Sequence, residues 1–310
     1  MNRYIRKCRL MGCSFELGIV SSEETIAQHF LGEGVKEIQR IENLLSEFKS
    51  ESQISQINQN AGESQIKVDP EVFDLLARCS QISTISKGYF DISVGPLKRL
   101  YRFKNDDFTP PDKRKIAETL KKVGHHFIKL DKTEQSAGLK RKGMKISLAA
   151  IGKGYAADVV RRKWKENNIA GGYIDASGDL TAFGKDENGN PWKIGIANPD
   201  NQDRTLFHIP LNDAAVATSG DYEQHFIHKG KRYSHNIDPK TGFPVIGIKS
   251  VSIFSPSAEL SDALATAVYA MGIQRGIAFL DQLPQTHGII INDENKVFFS
   301  KKLQYESISA

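Results

Sequence analysis

Apolar positions in this chain change period several times, and each change marks an element. Phe15-Glu16-Leu17-Gly18-Ile19-Val20 alternates as a half-buried strand does. Ser21-Ser22-Glu23-Glu24 then offers a capping box between Ser21 and Glu24, and Val35, Ile38, Ile41, Leu44, Leu45 and Phe48 recur at helical spacing. The stretch from Ser50 to Gly62 is polar and turn-rich. Asp69-Pro70 followed by Val72, Phe73, Leu75 and Leu76 predicts a helix with proline in its first turn. Paired glycines around a short aromatic run, Lys87 to Pro96, break that pattern in the manner of a loop set against a ligand. Thr109-Pro110-Pro111 reads as a loop with a helix after it.

Ile146 to Ile151 predicts a short strand feeding Gly152-Lys153-Gly154, and a helix from Tyr155 to about Asn167 places Val159, Val160 and Trp164 on one side. Tyr173 to Leu180 leads through Asp186-Glu187-Asn188-Gly189-Asn190 into Trp192 to Ala197, a pair that reads as a hairpin. Further strands are predicted at Leu206–Leu211, Ala214–Thr218, Gln224–Ile227, Lys231–His235 and Ser250–Phe254. Helices follow at about Ser261–Met271 and Gln274–Leu280, then strands at Gly288–Ile291 and Lys296–Phe299. Helices and strands mix without strict βαβ alternation, so the expected class is α+β, mixed sheets flanked by helices. One domain over 1–310 is expected, built either as a unit or as two closely packed α/β subdomains with the site between them.

Composition narrows the function. A 39% hydrophobic and 25% charged chain supports a real core. Net charge is +5, yet Lys and Arg are scattered, and the densest cluster, Lys140-Arg141-Lys142 to Lys145, reads as a solvated turn before a strand, so no nucleic acid is expected. An anionic small ligand suits the charge equally well. Three unevenly spaced cysteines (Cys8, Cys13, Cys79) give neither a metal signature nor a disulfide framework and favour a reducing compartment. No window is long and apolar enough for a membrane span or signal peptide, so the expected location is cytoplasmic.

Candidate chemistry gathers in five places. Tyr233 to Gly242 delivers His235 from an extended run into Asp238-Pro239-Lys240-Thr241-Gly242, a turn specified by proline and closed by glycine, which fixes an imidazole that titrates near neutral pH. Gly152-Lys153-Gly154 sits where helix N–H groups favour an anion, though a tight turn needing small residues explains it as well; Ser147 and Gly154 exclude a P-loop. Asp262 and Thr266, at i and i+4, put two hard oxygens on one helical face, suited to Mg²⁺; the alternative is Ser261 or Asp262 as N-cap and Thr266 as a buried threonine. Asp175-Ala176-Ser177-Gly178-Asp179 and Thr218-Ser219-Gly220-Asp221 read either as ligand-bearing sheet edges or as structural turns.

In order, these segments resemble the ApbE family of FAD:protein FMN transferases. The likeness runs from about Met11 to Gly272 through Met11-Gly12, Ser52 to Asn58, Gly88 to Leu97, Ile146 to Asp158, Thr218-Ser219-Gly220, Ser234 to Gly242 and Asp262 to Thr266. It implies an ApbE-like fold and a Mg²⁺-dependent enzyme that moves FMN from FAD, its substrate, onto a Ser or Thr hydroxyl of a target flavoprotein, releasing AMP. It also implies that Met11, Phe48, Tyr89, Phe90, Asp91 and Lys153 hold FAD, that Gly152 and Ala265 by their carbonyls, with Asp262 and Thr266, hold the metal, and that His235 is the essential histidine. Asp238 is expected to orient the imidazole or bind the acceptor.

The implied acceptor begins Asp-x-Ser/Thr-Gly/Ala and continues Ala/Thr-Ser/Thr. Asp175-Ala176-Ser177-Gly178 departs from it at Asp179-Leu180, which argues against self-modification. Cys13 stands where Thr is common, Tyr89 where a small residue is usual, and Ser177-Gly178 where Gly-Gly is usual. Many members are exported lipoproteins, and no lipobox precedes Met11, which again suggests a cytoplasmic form. The rival readings are a Mg²⁺-dependent FAD pyrophosphatase and a non-catalytic flavin-binding protein.

Overall fold

Met11 and Gly12 reverse the chain between β1 (Asn2–Leu10) and β2 (Cys13–Ser21), which pair antiparallel along their whole length. Both turn residues have positive φ, 50° and 79°, the geometry of a two-residue hairpin turn. The computed structural model describes residues 1–101, 111–211, 213–220, 225–228, 231–303 and 306–307. Thr109, Pro110, Asp221 and Gln224, parts of expected loops and strands, lie outside the described residues.

After the hairpin, α1 (Glu24–Leu45) lays Leu31, Ile38 and Ile41 on the sheet. The expected capping box does not form. Glu23 is the N-cap without a side-chain bond, because the Ser21 hydroxyl instead accepts the Glu23 N–H at 3.0 Å, and the helix stops at Leu45, short of Phe48. The polar stretch that follows contains α2 (Gln53–Gln59), whose N-cap Ser52 accepts the Ser55 N–H. Next come β3 (Ile66–Lys67), α3 (Pro70–Ile85), a 3₁₀ turn at Ile92–Val94, α4 (Gly95–Lys98), α5 (Lys113–Leu120), β4 (Ile128–Asp131) and β5 (Ser136–Leu139). β3, β5 and β4 form a small sheet that periodicity over so few residues did not reveal.

The segment 146–151 is not a strand, contrary to expectation: 146–148 carry no regular structure and 149–151 form a turn into the next helix. The Asn58 side chain supplies the bonds a neighbouring strand would give: its amide donates to the Ile146 carbonyl at 2.9 Å and its oxygen accepts the Ile146 N–H at 2.7 Å. The Ser147 N–H bonds to the Ile92 carbonyl at 2.8 Å. α6 (Gly152–Glu166) then begins earlier than its apolar face suggested.

β6 (Gly171–Ala176) and β7 (Asp179–Gly184) form a hairpin through Ser177-Gly178, and β8 (Trp192–Asn198) pairs with β9 (Asn201–Leu211) in another sheet, so the expected hairpin joining Tyr173–Leu180 to Trp192–Ala197 is replaced by two. The chain continues through β10 (Ala215–Gly220), β11 (His225–His228), β12 (Lys231–Ser234), β13 (Ile248–Ser255), α7 (Ala258–Met271), α8 (Ile273–Leu280), β14 (His287–Asn292), β15 (Val297–Phe299) and β16 (Glu306–Ser307). The main sheet runs β1-β2-β6-β7-β10-β13-β14-β15, every neighbour antiparallel.

Period-two alternation gives this sheet two buried faces. Phe15, Leu17, Ile174, Val251, Ile253 and Ile290 face α1, α6 and α7, whereas Val20, Tyr173, Val216, Phe254 and Ile289 face Trp192, Ile196 and Ile209 of the β8–β9 sheet. A one-residue slip would exchange these faces, so burial on both sides locks the register. Among the described residues no helix is long and apolar enough to cross a membrane.

Asn58→Ala removes the paired bonds that stand in for a strand at Ile146. An expected loss of about 1–3 kcal/mol in denaturant unfolding, with faster amide exchange at Ile146, follows from leaving partly buried backbone groups unpaired.

Candidate active site

α6 opens at Gly152 with Ile151 as N-cap and no side-chain cap, so its first N–H groups must find partners elsewhere. One is the Asp262 carboxylate, whose Oδ2 accepts the Gly154 N–H at 3.3 Å. A Cβ on Gly154 would lie 2.2 Å from the Ala258 carbonyl oxygen, so only glycine lets the start of α6 approach the start of α7 this closely. α7 begins at Ala258, capped by Ser257, which accepts the Leu260 N–H at 3.1 Å. Neither Ser261 nor Asp262 is therefore the N-cap, and Asp262 is buried one turn inside. Thr266 lies one turn further on the same face.

Two more charges complete this centre. The Lys153 ammonium meets Asp179 Oδ2 at 2.5 Å, and Asp179 Oδ1 accepts the Thr218 N–H at 3.2 Å. Burial pushes the Asp179 carboxyl up. Burial, and then the Asp179 charge, push the Asp262 carboxyl up to about 7, against the pull of Lys153, the Gly154 N–H and Lys98. Burial alone would lower the Lys153 ammonium, but Asp179 and Asp262 more than reverse this and hold it above the ordinary lysine range. Asp262 is thus a carboxylate short of positive charge, on a face whose free donors are the hard oxygens of a carboxylate and a hydroxyl. That arrangement fits a hard divalent cation. Gly152 and Ala265 lie within α6 and α7, where carbonyls serve the helical ladder.

A cavity of about 590 Å³ lies over this junction, lined by Met11, Glu47, Phe48, Ser147, Gly152 and Lys153 among others. Its size is that of a cofactor site. Phe48 stands 89% exposed at its rim, an apolar ring with no protein cover. Ser147 and Ala149 also line a second cleft, shared with Tyr89, Asp91, Lys98, Asn236 and Thr266, so the two spaces meet along one wall. The Ser147 hydroxyl donates to Glu47 at 2.5 Å across that wall.

The residues at 89–91 divide their roles. Phe90 is core. Asp91 spends Oδ1 on its own loop, accepting the Ser93 N–H and O–H, and Oδ2 on the His125 N–H of a distant segment at 2.8 Å. Tyr89 alone reaches outward; its hydroxyl accepts from Arg275 at 2.6 Å and its ring lies 4.1 Å beneath the Lys240 ammonium.

His235 leaves β12 between two buried residues, Ser234 and Asn236. The turn behind it is tightly bonded: Asp238 N–H to Phe243 carbonyl, Gly242 N–H to Asp238 carbonyl, and Val245 N–H to Asn236 carbonyl. The Asp238 carboxylate accepts the Lys240 N–H at 2.9 Å and the Thr241 hydroxyl at 3.0 Å, so it builds the turn. The Tyr101 hydroxyl donates to the Gly242 carbonyl at 2.6 Å, and Ile237 packs with Leu97 and Ile116 beneath. Asn236, Ile237 and Pro239 bring the turn to the cleft that Thr266 lines.

Tertiary structure therefore gathers Met11, Phe48, Gly152 and Lys153 at one cavity and Tyr89 to Asp91, Thr266 and the His235 turn at the adjoining one. Sequence reasoning missed Glu47, Lys98, Ser147 as a wall shared by both, and Asp179 as the partner of Lys153. Of these only Asp179 carried a signal, as an acid in a singled-out turn.

The ApbE family profile matches residues 11–291. The chain is 30% identical to an FAD:protein FMN transferase of Klebsiella pneumoniae across 94% of this chain and 90% of that one. It is 29% identical to the enzyme of that name from Haemophilus influenzae, across 81% and 75%. The crystal structure of an ApbE protein from Thermotoga maritima is similar over 97% of both chains, with a TM-score of 0.88 at 28% identity.

With its carboxyl raised from 3.8 to about 7, the metal-free folded protein keeps a proton at Asp262 that the unfolded chain has released. The unfolded state then binds fewer protons, so this group's contribution to stability falls as pH rises between these values, by up to about 1.4 kcal/mol per unit. Thermal unfolding of chelator-treated protein from pH 5 to 8 should show this slope, and Asp262→Asn should flatten it.

Proposed function

The chain belongs to the ApbE family, and from this we propose that it moves FMN from FAD onto a Ser or Thr hydroxyl of a target flavoprotein, with Mg²⁺ at the Asp262 face and His235 as general base. The observation that carries this reading is a cavity of about 590 Å³ whose Ser147 and Ala149 wall also lines the small cleft holding Thr266 and the His235 turn. The second space measures only about 30 Å³, so the dinucleotide lies in the larger cavity with its diphosphate against this wall.

Asp262 and Thr266, with the carbonyls of Gly152 and Ala265, would hold the Mg²⁺. When bound, it offsets the charge of the diphosphate and polarises the phosphorus under attack. His235 takes the proton from the acceptor hydroxyl as its oxygen bonds to the flavin-side phosphorus. The bond from that phosphorus to the bridging oxygen breaks, and the electron pair leaves with AMP. Lys153 at the first turn of α6 meets phosphate charge, aided by the helix dipole. Met11, Phe48 and Tyr89 offer apolar surface to the ring systems, while Phe90 and Asp91 hold the loop that presents Tyr89. Asp238 acts through the turn, as a positioning residue for His235.

The acceptor is a separate protein with an Asp-x-Ser/Thr-Gly/Ala-Ala/Thr-Ser/Thr segment. Ser177 does not serve, since its hydroxyl both accepts from and donates to the Ser14 backbone, at 3.2 and 3.1 Å.

Protein mixed with FAD, Mg²⁺ and a tagged acceptor should give in-gel flavin fluorescence that survives denaturation, with one AMP released per flavin attached. His235→Ala should slow this by about 10²- to 10⁴-fold. No covalent flavin overturns the proposal, and equal AMP release without acceptor replaces it with FAD hydrolysis. Mg²⁺ affinity, measured by calorimetry, should weaken as pH falls below about 7, because the proton on Asp262 competes with the metal.

A further inference from the structure

Lys98 ends α4, a short helix whose neighbouring residue Leu97 is fully buried beneath the His235 turn. Its side chain is half-buried and lines the cleft that Thr266, Tyr89 and Asn236 share. Among the described residues no hydrogen bond or ion pair reaches its ammonium, and the charges facing it are those of Glu47 and Asp262. Burial pushes this ammonium below the ordinary lysine range, and the two carboxylates only partly oppose that.

The other lysine of the site, Lys153, already has a carboxylate partner, Asp179 at 2.5 Å. An ammonium partly withdrawn from water without a partner is destabilised, so one kept at a cavity wall is stabilised when an anion arrives. Lys98 feels both the Glu47 carboxylate, which walls the larger cavity, and the Asp262 carboxylate. A diphosphate held against the Ser147 and Ala149 wall lies beside the cleft that Lys98 lines.

We propose that Lys98 is a second anchor for the substrate diphosphate, its ammonium unpaired in the free protein because its partner is a phosphate oxygen of the ligand. This rests on the FAD reading above and adds a binding residue to it. The competing role is purely internal, with Lys98 balancing Glu47 and Asp262.

The two roles separate by sign. Lys98→Met removes the charge and keeps the volume, so it should leave the melting temperature of the ligand-free protein unchanged or raised, while weakening FAD binding by about tenfold or more, read by flavin fluorescence without acceptor. Lys98→Arg, which keeps the charge, should stay within about threefold of wild type. An FAD Kd unmoved by Lys98→Met overturns the proposal, as does equal weakening in the Met and Arg variants. A lowered melting temperature with unchanged Kd assigns Lys98 to the internal role. Wild-type protein with no affinity for FAD sinks the underlying FAD reading itself, and this anchor with it.

Discussion

Everything at the site depends on how closely the first turn of α6 approaches the first turn of α7. Gly154 permits it, because any Cβ there would meet the Ala258 carbonyl at 2.2 Å. The approach puts the Asp262 carboxylate within reach of the Gly154 N–H, at the positive end of α6. It also fixes the rotation of α7, so that Thr266 faces the cleft, and it sends Lys153 the other way toward Asp179 at the start of β7. Asp179 in turn holds the Thr218 N–H of β10. One glycine contact thus ties two helices and two strands into a single charged centre.

That centre is electrostatically incomplete on its own. Asp179 is matched by Lys153, but Asp262 is buried beside a second carboxylate and holds its proton up to about neutral pH. Lys98 faces it without contact. Charges held apart in a dry site are costly in the free protein, and the cost falls when ligands bring complementary charge. A cation at Asp262 and a diphosphate between the lysines would satisfy both deficits together.

The histidine turn is held by different means. Its base packs on a separate small cluster, Leu97, Tyr101, Ile116 and Ile237, and its backbone is bonded to itself. Tyr89 then links three parts of the rim, receiving a bond from Arg275 of α8 and lying beneath Lys240 of the turn. The ring thus braces the turn from outside the main core. Ser177 is accommodated at φ 55° with its hydroxyl tied to the Ser14 backbone.

Elements long enough to show a period, such as α1, α3, α6 and β2, were legible in the chain itself, because periodicity is a local property. The sequence also placed the turn at Asp238 to Gly242, where proline and glycine leave the backbone few choices. It misjudged one element whose partner is distant in the chain and one cap that a nearer bond pre-empts. Ile146 to Ile151 has a strand's composition, but Asn58 occupies the place of the neighbouring strand. Ser21 and Glu24 have a capping box's spacing, but the Ser21 hydroxyl bonds within its own turn. Tertiary structure alone decided that Asp262 is buried inside α7 rather than capping it, that Lys153 belongs to Asp179, and that Lys98, one of many lysines, faces the cleft. Each follows from contacts across tens to more than a hundred residues, where burial and charge are set by neighbours that no local pattern can name.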